Sequence, residues 1–340
     1  MTNGTIRVVL FGFGVIGASV LRLGRARPGL AFVGIVVRRP ELDRRPAREV
    51  VPEASPDLLL STDGAAVLRN ARPDVVVIAT RSTLREVLPQ LRLAAEARVP
   101  TVCTAEDLAH IRPSDGPEAR EIFELAERHR VAIVALGLNP GFLLDVWPLM
   151  LSSLAHDVAA IEAERVVDLS GFGPRVRASL GVGYSPTDFA RELARGGISG
   201  HRGFPESLRL IGEALGRPVD EIQIETKPII ARHPRALLDG ELLTGQTAGV
   251  RQTAVGRTVG SAWLHLAMTA SVALEEIPAE PIDRVRIKGS TELSAVISPG
   301  MGAVAGTVGR LVNALPAVRR AAPGVHSALA LGITPPHLSG

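Results

Sequence analysis

The chain has 340 residues, which exceeds the roughly 100–200 residues of a typical domain and predicts two domains. Its single cysteine, Cys103, excludes an intrachain disulfide or a paired-cysteine metal site and favours a reducing, cytoplasmic location. The net charge of +3 and the aromatic content of 3% disfavour nucleic-acid binding, and polar residues within the most hydrophobic stretch, 131–154, disfavour a membrane span.

Strand-like and helix-like segments alternate through the first 140 residues. Continuous valine and isoleucine runs, such as the one that begins at Val75, are typical of strands buried on both faces. This pattern predicts an α/β fold with a doubly wound parallel sheet of the Rossmann type. The predicted strands are Ile6–Phe11, Ala31–Val37, Asp57–Ser61, Val75–Thr80, Thr101–Thr104 and Val131–Leu136. The predicted helices are Val15–Leu23, Arg81–Ala97 and Pro117–Arg130.

The first predicted strand ends in a glycine-rich turn that consists of Gly12, Phe13, Gly14, Val15, Ile16 and Gly17. In a dinucleotide site, Gly12 allows the tight turn, Gly14 lets the backbone approach a pyrophosphate, and Gly17 lets the helix pack on the strand. The helix N-terminus also favours the negative charge. The alternative is an ordinary tight turn. Because strand, turn and helix follow in the order that the motif requires, we expect nucleotide binding.

The end of the second predicted strand bears on the choice of cofactor. An acidic residue there would accept hydrogen bonds from the ribose hydroxyls of NAD. The chain instead has Arg38 and Arg39, with no acid before Glu41. Arginines can clamp a 2′-phosphate with paired hydrogen bonds, so we expect NADP as the preferred cofactor, with NAD as the second candidate. Solvated surface arginines are the alternative interpretation.

Polar residues follow the fourth and fifth predicted strands, at the sheet edge where open α/β folds bind ligands. Thr80 and Ser82 are expected either to cap a helix or to line the nicotinamide path, and Thr104 ends the fifth strand. Glu106 follows Thr104 closely. From its spacing, two roles are equally compatible with Glu106. It can be a first-turn carboxylate that is stabilised by a helix dipole, or an acid–base group beside the nicotinamide.

The pattern of predicted elements changes after the turn formed by Asn139, Pro140 and Gly141, where the strands become longer and follow one another more directly. Proline ends strand pairing and glycine permits unusual dihedral angles, so this turn is a predicted hinge. Beyond it we expect a second α+β lobe with a mixed or antiparallel sheet. Its predicted strands are Ile161–Leu169, Glu221–Ala231, Thr247–Arg257, Ser261–Val272 and Ile282–Lys288. Its predicted helices are Pro186–Arg195 and Pro205–Leu215.

These elements predict three parts of the chain. Residues 1–140 form a Rossmann dinucleotide-binding domain, and residues 141–300 form a domain for substrate binding and dimerisation. Residues 301–340 pack back on the first domain, with a helix expected over Gly302–Ala314. The long strands of the second lobe need their edges covered, which favours a homodimer.

Four motifs resemble the 2,4-diaminopentanoate dehydrogenase and native amine dehydrogenase family: GFGVIG, CTAEDL, GLNPGF followed by DVWPLML, and the tail from LVNALPAVRRAAPGV. The resemblance implies a dihydrodipicolinate-reductase-like architecture and a homodimer. It also implies an amine dehydrogenase that interconverts a small primary amine with a ketone or aldehyde plus ammonia. A dehydrogenase of the 2,4-diaminopentanoate type is the nearest alternative, and a non-catalytic nucleotide-sensing protein is the alternative of another class.

The resemblance also implies roles for individual residues. Glu106 matches the family's catalytic glutamate, and Asn139 is expected at the cofactor. Arg165, His201 and His265 match polar pocket positions. The whole expected substrate pocket comprises Leu138, Phe142, Arg165, Tyr184, His201 and His265. For the apolar members, core packing is the alternative. No HExxH motif, cysteine cluster or carboxylate-rich loop suggests a metal.

Overall fold

A computed structural model describes residues 4–237, 240–277 and 280–336. The chain divides into two compact units, of which unit 1 comprises Met1–Phe142 with Gly302–Gly340, and unit 2 comprises Leu143–Met301. The predicted outer limits at residues 1 and 340 lie outside the described residues.

Unit 1 contains a parallel sheet, which confirms the predicted fold class. Its seven strands are β1 (Ile6–Phe11), β2 (Leu30–Val36), β3 (Leu60–Ser61), β4 (Val75–Ile78), β5 (Thr101–Cys103), β6 (Ala132–Ala135) and β15 (Gly324–His326). They lie in the order β15-β6-β5-β4-β1-β2-β3, and every neighbouring pair is parallel. The central strands β4, β5 and β6 are buried along their whole length, as their valine and isoleucine content predicts.

The helices of unit 1 are α1 (Val15–Arg25), α2 (Gly64–Ala71), α3 (Leu84–Glu96), α4 (Pro117–His129) and α9 (Ala303–Arg320). Helix α9 packs on α1, and β15 pairs with β6, so both elements of the C-terminal segment lie in unit 1. Helix α2 and strand β15 were not predicted, and α9 extends to Arg320, beyond the predicted end at Ala314. The predicted strand Asp57–Ser61 is reduced to Leu60 and Ser61, which pair with β2, whereas the carbonyl of the preceding Leu58 accepts from the N–H of Ala47.

Unit 2 contains a mixed sheet, which was also predicted. Its strands are β7 (Ala160–Asp168), β8 (Glu221–Ile230), β11 (Thr247–Thr258), β12 (Ser261–Ser271), β13 (Ile282–Lys288) and β14 (Leu293–Ile297), in the order β14-β13-β7-β12-β11-β8. Only the β7–β12 pair is parallel. Two short strands, β9 (Arg235–Leu237) and β10 (Gly240–Leu242), form a separate hairpin.

The helices of unit 2 are α5 (Val146–Ser152), α6 (Pro174–Ser179), α7 (Pro186–Ala194) and α8 (Phe204–Ala214). The core lies on one face of the mixed sheet, where Phe204 of α8 and Trp263 of β12 are fully buried. Because strand side chains alternate between faces, each strand residue belongs either to this core face or to the opposite, outer face. This alternation determines on which face of the sheet each predicted site residue of a unit 2 strand lies.

Candidate active site

The glycine-rich turn follows β1 directly and opens helix α1, as the motif requires. Gly12 has φ +95°, and a Cβ there would lie 2.6 Å from the carbonyl oxygen of Ala79. A Cβ at Gly17 would lie 2.0 Å from the carbonyl oxygen of Gly12, whereas one at Gly14 would meet open space. The first and third glycines are therefore required by close packing, and the second leaves room for a ligand. This geometry fits a pyrophosphate at the α1 N-terminus.

The remaining residues of the turn have different surroundings. Phe13 is buried in unit 1, Ile16 is half-buried, and Val15 is exposed at the first position of α1. Arg38 and Arg39 follow β2 and are both exposed. Arg39 lies 3.8 Å from Glu41 in an exposed ion pair, a contact that contributes little to stability and leaves the guanidinium able to change partner.

The loops after β4 and β5 meet at the same edge of the sheet. Thr80 donates its hydroxyl hydrogen to Gln90 of α3 at 2.7 Å. The backbone N–H of Glu106 donates to the carbonyl of Ser82 at 2.8 Å, and the N–H of Thr104 donates to the carbonyl of Ile78 at 3.0 Å. Ser82, Thr104 and Glu106 therefore lie together, as strand-end reasoning predicts.

Contacts also link these loops to the glycine turn. The space beside Gly12 is closed by Ala79 and by the methyl group of Thr80. Since β4 separates β1 from β5 and neighbouring strands lie about 4.8 Å apart, the ends of β1 and β5 are about 10 Å apart across the sheet. Glu106 is half-buried and begins a short 3₁₀ turn, Glu106–Leu108. A carboxylate at this position lies within the reach of a ligand that spans this sheet edge.

The turn at Asn139 lies in unit 1 and contains a cis peptide bond to Pro140. Leu138 is buried, and Asn139 and Phe142 are half-buried. Arg310 of α9 donates to the carbonyl of Gly141 at 3.2 Å, and its guanidinium carbon lies 5.0 Å from the centre of the Phe142 ring. The C-terminal helix therefore fixes this turn, a role for Arg310 that the sequence analysis did not identify.

In unit 2, Arg165 forms a buried ion pair that local sequence does not reveal. Its Nη1 lies 3.2 Å from Oδ1 of Asp283, and the two side chains are 5% and 2% exposed. Arg165 Nη2 donates to the carbonyl of Met301 at 2.6 Å, and the N–H of Met301 donates to Asp283 at 2.7 Å. Burial raises the pKa of Asp283, and the Arg165 charge and the Met301 N–H oppose that shift. The guanidinium is thus committed to protein partners.

His201 is buried on the core face of unit 2. Its backbone N–H donates to the side-chain oxygen of Gln252 at 2.7 Å, and its ring packs edge-on against Phe204 with the centroids 4.7 Å apart. Burial and the nearby Arg165 charge lower the pKa of His201 to about 3. The imidazole is therefore neutral at physiological pH, which suits hydrogen bonding and packing rather than charge pairing.

His265 does not share a pocket with Arg165 and His201. In the β7–β12 register it pairs with Glu162, whereas Arg165 pairs with Met268, so the two side chains lie on opposite faces of the sheet. His265 is exposed on the outer face. The predicted pocket position of His265 is therefore corrected. Tyr184 packs half-buried against the core of unit 2, and its N–H donates to the hydroxyl of Thr247 at 3.1 Å.

Across the described ranges 4–237, 240–277 and 280–336, no three His, Cys, Asp or Glu side chains are grouped so that they could hold a metal ion. In the same ranges, no helix combines the length and the apolar character that crossing a membrane requires.

Comparison with known proteins identifies the family. Residues 142–338 match the 2,4-diaminopentanoate dehydrogenase C-terminal domain. The chain belongs to the 2,4-diaminopentanoate dehydrogenase family. It is 26% identical over 330 residues to 2,4-diaminopentanoate dehydrogenase of Acetoanaerobium sticklandii, covering 96% of this chain and 94% of the relative. It is also 26% identical over 361 residues to an amine dehydrogenase of Streptomyces virginiae, covering 97% of each.

The fold of this family member also matches a solved structure. An amine dehydrogenase from Mycobacterium smegmatis superimposes with a TM-score of 0.83 at 23% identity, covering 98% of this chain and 97% of the other. This likeness confirms the predicted architecture, a parallel Rossmann-type sheet with a second mixed sheet.

Proposed function

We propose that the protein is a nicotinamide-dependent amine dehydrogenase that interconverts small primary amines with ketones or aldehydes plus ammonia. The observation that carries this proposal is the placement of Glu106 at the ligand-binding edge of unit 1, joined through Ser82 and Thr80 to the glycine turn. Relatives named 2,4-diaminopentanoate dehydrogenase and amine dehydrogenase both support a reaction at a carbon that bears an amino group.

Glu106 is the proposed acid–base group. When bound, the nicotinamide supplies the hydride chemistry. In the oxidative direction Glu106 takes a proton from the substrate ammonium, which frees the nitrogen lone pair. After that proton has passed to solvent, the carboxylate takes a proton from the water that adds to the iminium carbon. It then gives this proton to the nitrogen, so that ammonia leaves as the carbonyl forms. In the reductive direction the same carboxylate holds ammonia and returns a proton to the departing hydroxyl.

The cofactor is proposed to be NADP rather than NAD, with contacts from the glycine turn, Thr80, Ser82, Thr104 and Asn139. Arg38 and Arg39 support this choice because they are exposed directly after β2, where the adenosine ribose of a bound dinucleotide lies. The exposed pair between Arg39 and Glu41 is weak enough to open for a phosphate.

The substrate is proposed to be an amine without a carboxylate. In unit 1, Leu138 and Phe142 provide apolar surface for such a substrate. Arg165 is already paired with Asp283 and Met301, so it does not supply a free charge for a substrate carboxylate. Oxidation of 2,4-diaminopentanoate is the second candidate, because the matched family and one of its relatives carry that name.

The protein is proposed to act as a homodimer through the outer face of the unit 2 sheet. Glu164 and Arg284 pair at 3.2 Å on this face, and Arg251, His265 and Arg286 lie on it around a depression of about 400 Å³. Charges of both signs on one surface allow a second copy, related by a twofold axis, to pair with it.

A spectrophotometric screen tests the proposed reaction. NADPH oxidation is followed with ammonium and butan-2-one, cyclohexanone or pentanal, beside NADP reduction with 2,4-diaminopentanoate. Ammonium-dependent NADPH oxidation with a simple carbonyl compound supports the amine dehydrogenase. Turnover of 2,4-diaminopentanoate alone supports the second candidate. NADPH binding with no turnover in either assay favours a nucleotide-sensing protein.

A further inference from the structure

We propose that Asp107 is a positioning residue for Glu106, because its carboxylate caps helix α3 from the neighbouring loop and thereby fixes the backbone that carries Glu106. The inference rests on the proposed function, in which Glu106 is the acid–base group. Asp107 itself does not move the proton.

The N-terminus of α3 receives its cap from outside the helix. The first N–H groups of a helix have no partner within it, and a residue such as Thr83 commonly provides the acceptor. Thr83 instead donates its hydroxyl hydrogen to Glu86 at 2.7 Å and makes no side-chain cap. The N–H of Leu84 donates to the Asp107 carboxylate at 3.0 Å. A carboxylate at this position is also stabilised by the helix dipole.

The same two loops are joined in the reverse direction. The N–H of Glu106 donates to the carbonyl of Ser82 at 2.8 Å, and the N–H of Asp107 lies 3.4 Å from the same oxygen. The Ser82 carbonyl in the loop after β4 thus accepts hydrogen bonds from the loop after β5. In the other direction, the Asp107 carboxylate accepts a hydrogen bond from the N–H of Leu84. We call this reciprocal set of bonds between Ser82, Leu84, Glu106 and Asp107 the clasp.

Helix α3 gives the clasp a rigid base. Leu84 is buried in the core of unit 1, and Val87 and Leu91 below it are completely buried. The turn that carries Glu106 is only three residues long, and its own backbone bond from Ala109 to Glu106 measures 3.0 Å. Such a short turn depends on outside contacts for its position. Proton transfer requires hydrogen-bond reach, and a displacement of about 1 Å can cost about 10²-fold in rate.

Two substitutions at Asp107 separate the carboxylate's geometry from its charge. Asp107→Ala removes the acceptor and is expected to lower kcat about 10- to 100-fold with the most active carbonyl compound of the screen, while the NADPH Kd rises by a much smaller factor. Asp107→Asn keeps a side-chain oxygen that can accept from Leu84, so kcat stays within about threefold of wild type.

The matched control is Asp74→Ala at the opposite edge of the same sheet. Asp74 also accepts a backbone hydrogen bond with its carboxylate, from the N–H of Arg7 at 2.8 Å, and it lies immediately before β4. This variant loses a similar contact, together with the ion pair between Asp74 and Arg319 at 3.2 Å, but leaves the clasp intact. Its kcat is expected to remain within about twofold of wild type.

A double variant tests whether Asp107 acts through Glu106. In a Glu106→Gln background, Asp107→Ala is expected to reduce kcat by less than about twofold further, because residues that act as a unit are not additive. Backbone amide exchange gives a readout independent of turnover. Exchange at Leu84 and Glu106 is expected to accelerate in Asp107→Ala and to be restored in Asp107→Asn.

The outcomes separate this proposal from the proposed function. Unchanged amide exchange at Glu106 in Asp107→Ala overturns the clasp, as does a fully additive loss in the double variant. If Glu106→Gln retains activity, the assignment of Glu106 as the base fails. The exchange measurement then still decides whether Asp107 holds the loop.

Discussion

Removing the guanidinium of Arg165 tests its structural role in unit 2. In Arg165→Met the side chain stays long but becomes apolar, so the buried Asp283 carboxylate loses its charged partner. The Met301 carbonyl loses a donor at the same time. If Arg165 is an anchor within unit 2, the variant loses stability. If it is a substrate anchor, the variant chiefly raises the KM of a carboxylate-bearing substrate.

The burial of the pair sets the magnitude. With the two side chains 5% and 2% exposed, solvent does not replace the missing partner. Breaking a buried ion pair on one side typically costs about 3–5 kcal/mol. We therefore expect the free energy of unfolding of Arg165→Met to fall by about this amount. Adding Asp283→Asn removes the uncompensated charge and is expected to recover at least about 1 kcal/mol.

Tryptophan fluorescence during urea unfolding measures this loss specifically. The chain has two tryptophans, Trp147 and Trp263, and both lie in unit 2, where Trp263 is 1% exposed. Arg165→Lys is the control that keeps the charge but loses the planar guanidinium. Its free energy of unfolding should lie between those of the wild type and Arg165→Met. An Arg165→Met protein within about 1 kcal/mol of wild type would refute the anchoring role.

Three further predictions concern the cofactor, the pH dependence and the assembly. Replacing Arg38 and Arg39 by alanine should weaken NADPH binding by about 2–4 kcal/mol and leave NADH binding unchanged, whereas equal losses in titrations with both cofactors would contradict phosphate recognition. Since the pKa of His201 is lowered from 6.5 to about 3 by burial, the unfolded state binds its proton first. Its contribution to stability should therefore be complete above pH 6.5 and decline by about 1.4 kcal/mol per pH unit as the pH falls towards 3. The free energy of unfolding, measured with urea at several pH values in this range, should fall more steeply with decreasing pH in the wild type than in His201→Asn. An identical pH dependence in the two proteins would contradict the assignment. Arg284→Glu on the outer sheet face should shift the dimer to monomer in light scattering, whereas Arg195→Glu, at the exposed end of α7, should not; a monomeric wild type at micromolar concentration would contradict the dimer.

The parallel sheet of unit 1 was predictable because its signals are local. The valine-rich strands are buried on both faces, and the spacing of the glycines predicts the turn after β1. Helix α2 was missed although Asp63 caps it by accepting from Ala66 at 2.9 Å. Strand β15 was missed because three residues have no periodic pattern of their own, and its pairing with β6 supplies the structure.

The polar residues of unit 2 were harder to place because their partners are distant in sequence. Arg165 and Asp283 are 118 residues apart and meet only through the β7–β13 pairing. Arg310 reaches Gly141 across 169 residues. His265 was grouped with Arg165 and His201 because the face on which a strand residue lies depends on register, and a shift of one residue reverses it. Aspartate commonly caps the helix that follows it in the sequence, but Asp107 caps helix α3 by accepting from Leu84, which lies 23 residues before it.

The turnover of Glu106→Gln tests the central claim most directly. Glutamine keeps the size and hydrogen-bonding shape of the side chain but cannot accept the proton. Ammonium-dependent NADPH oxidation is measured for the wild type and the variant, with NADPH affinity and thermal melting as controls for folding. We predict a loss of kcat of at least about 10²–10⁴-fold with unchanged NADPH affinity. A folded Glu106→Gln protein with near-normal turnover would contradict the mechanism.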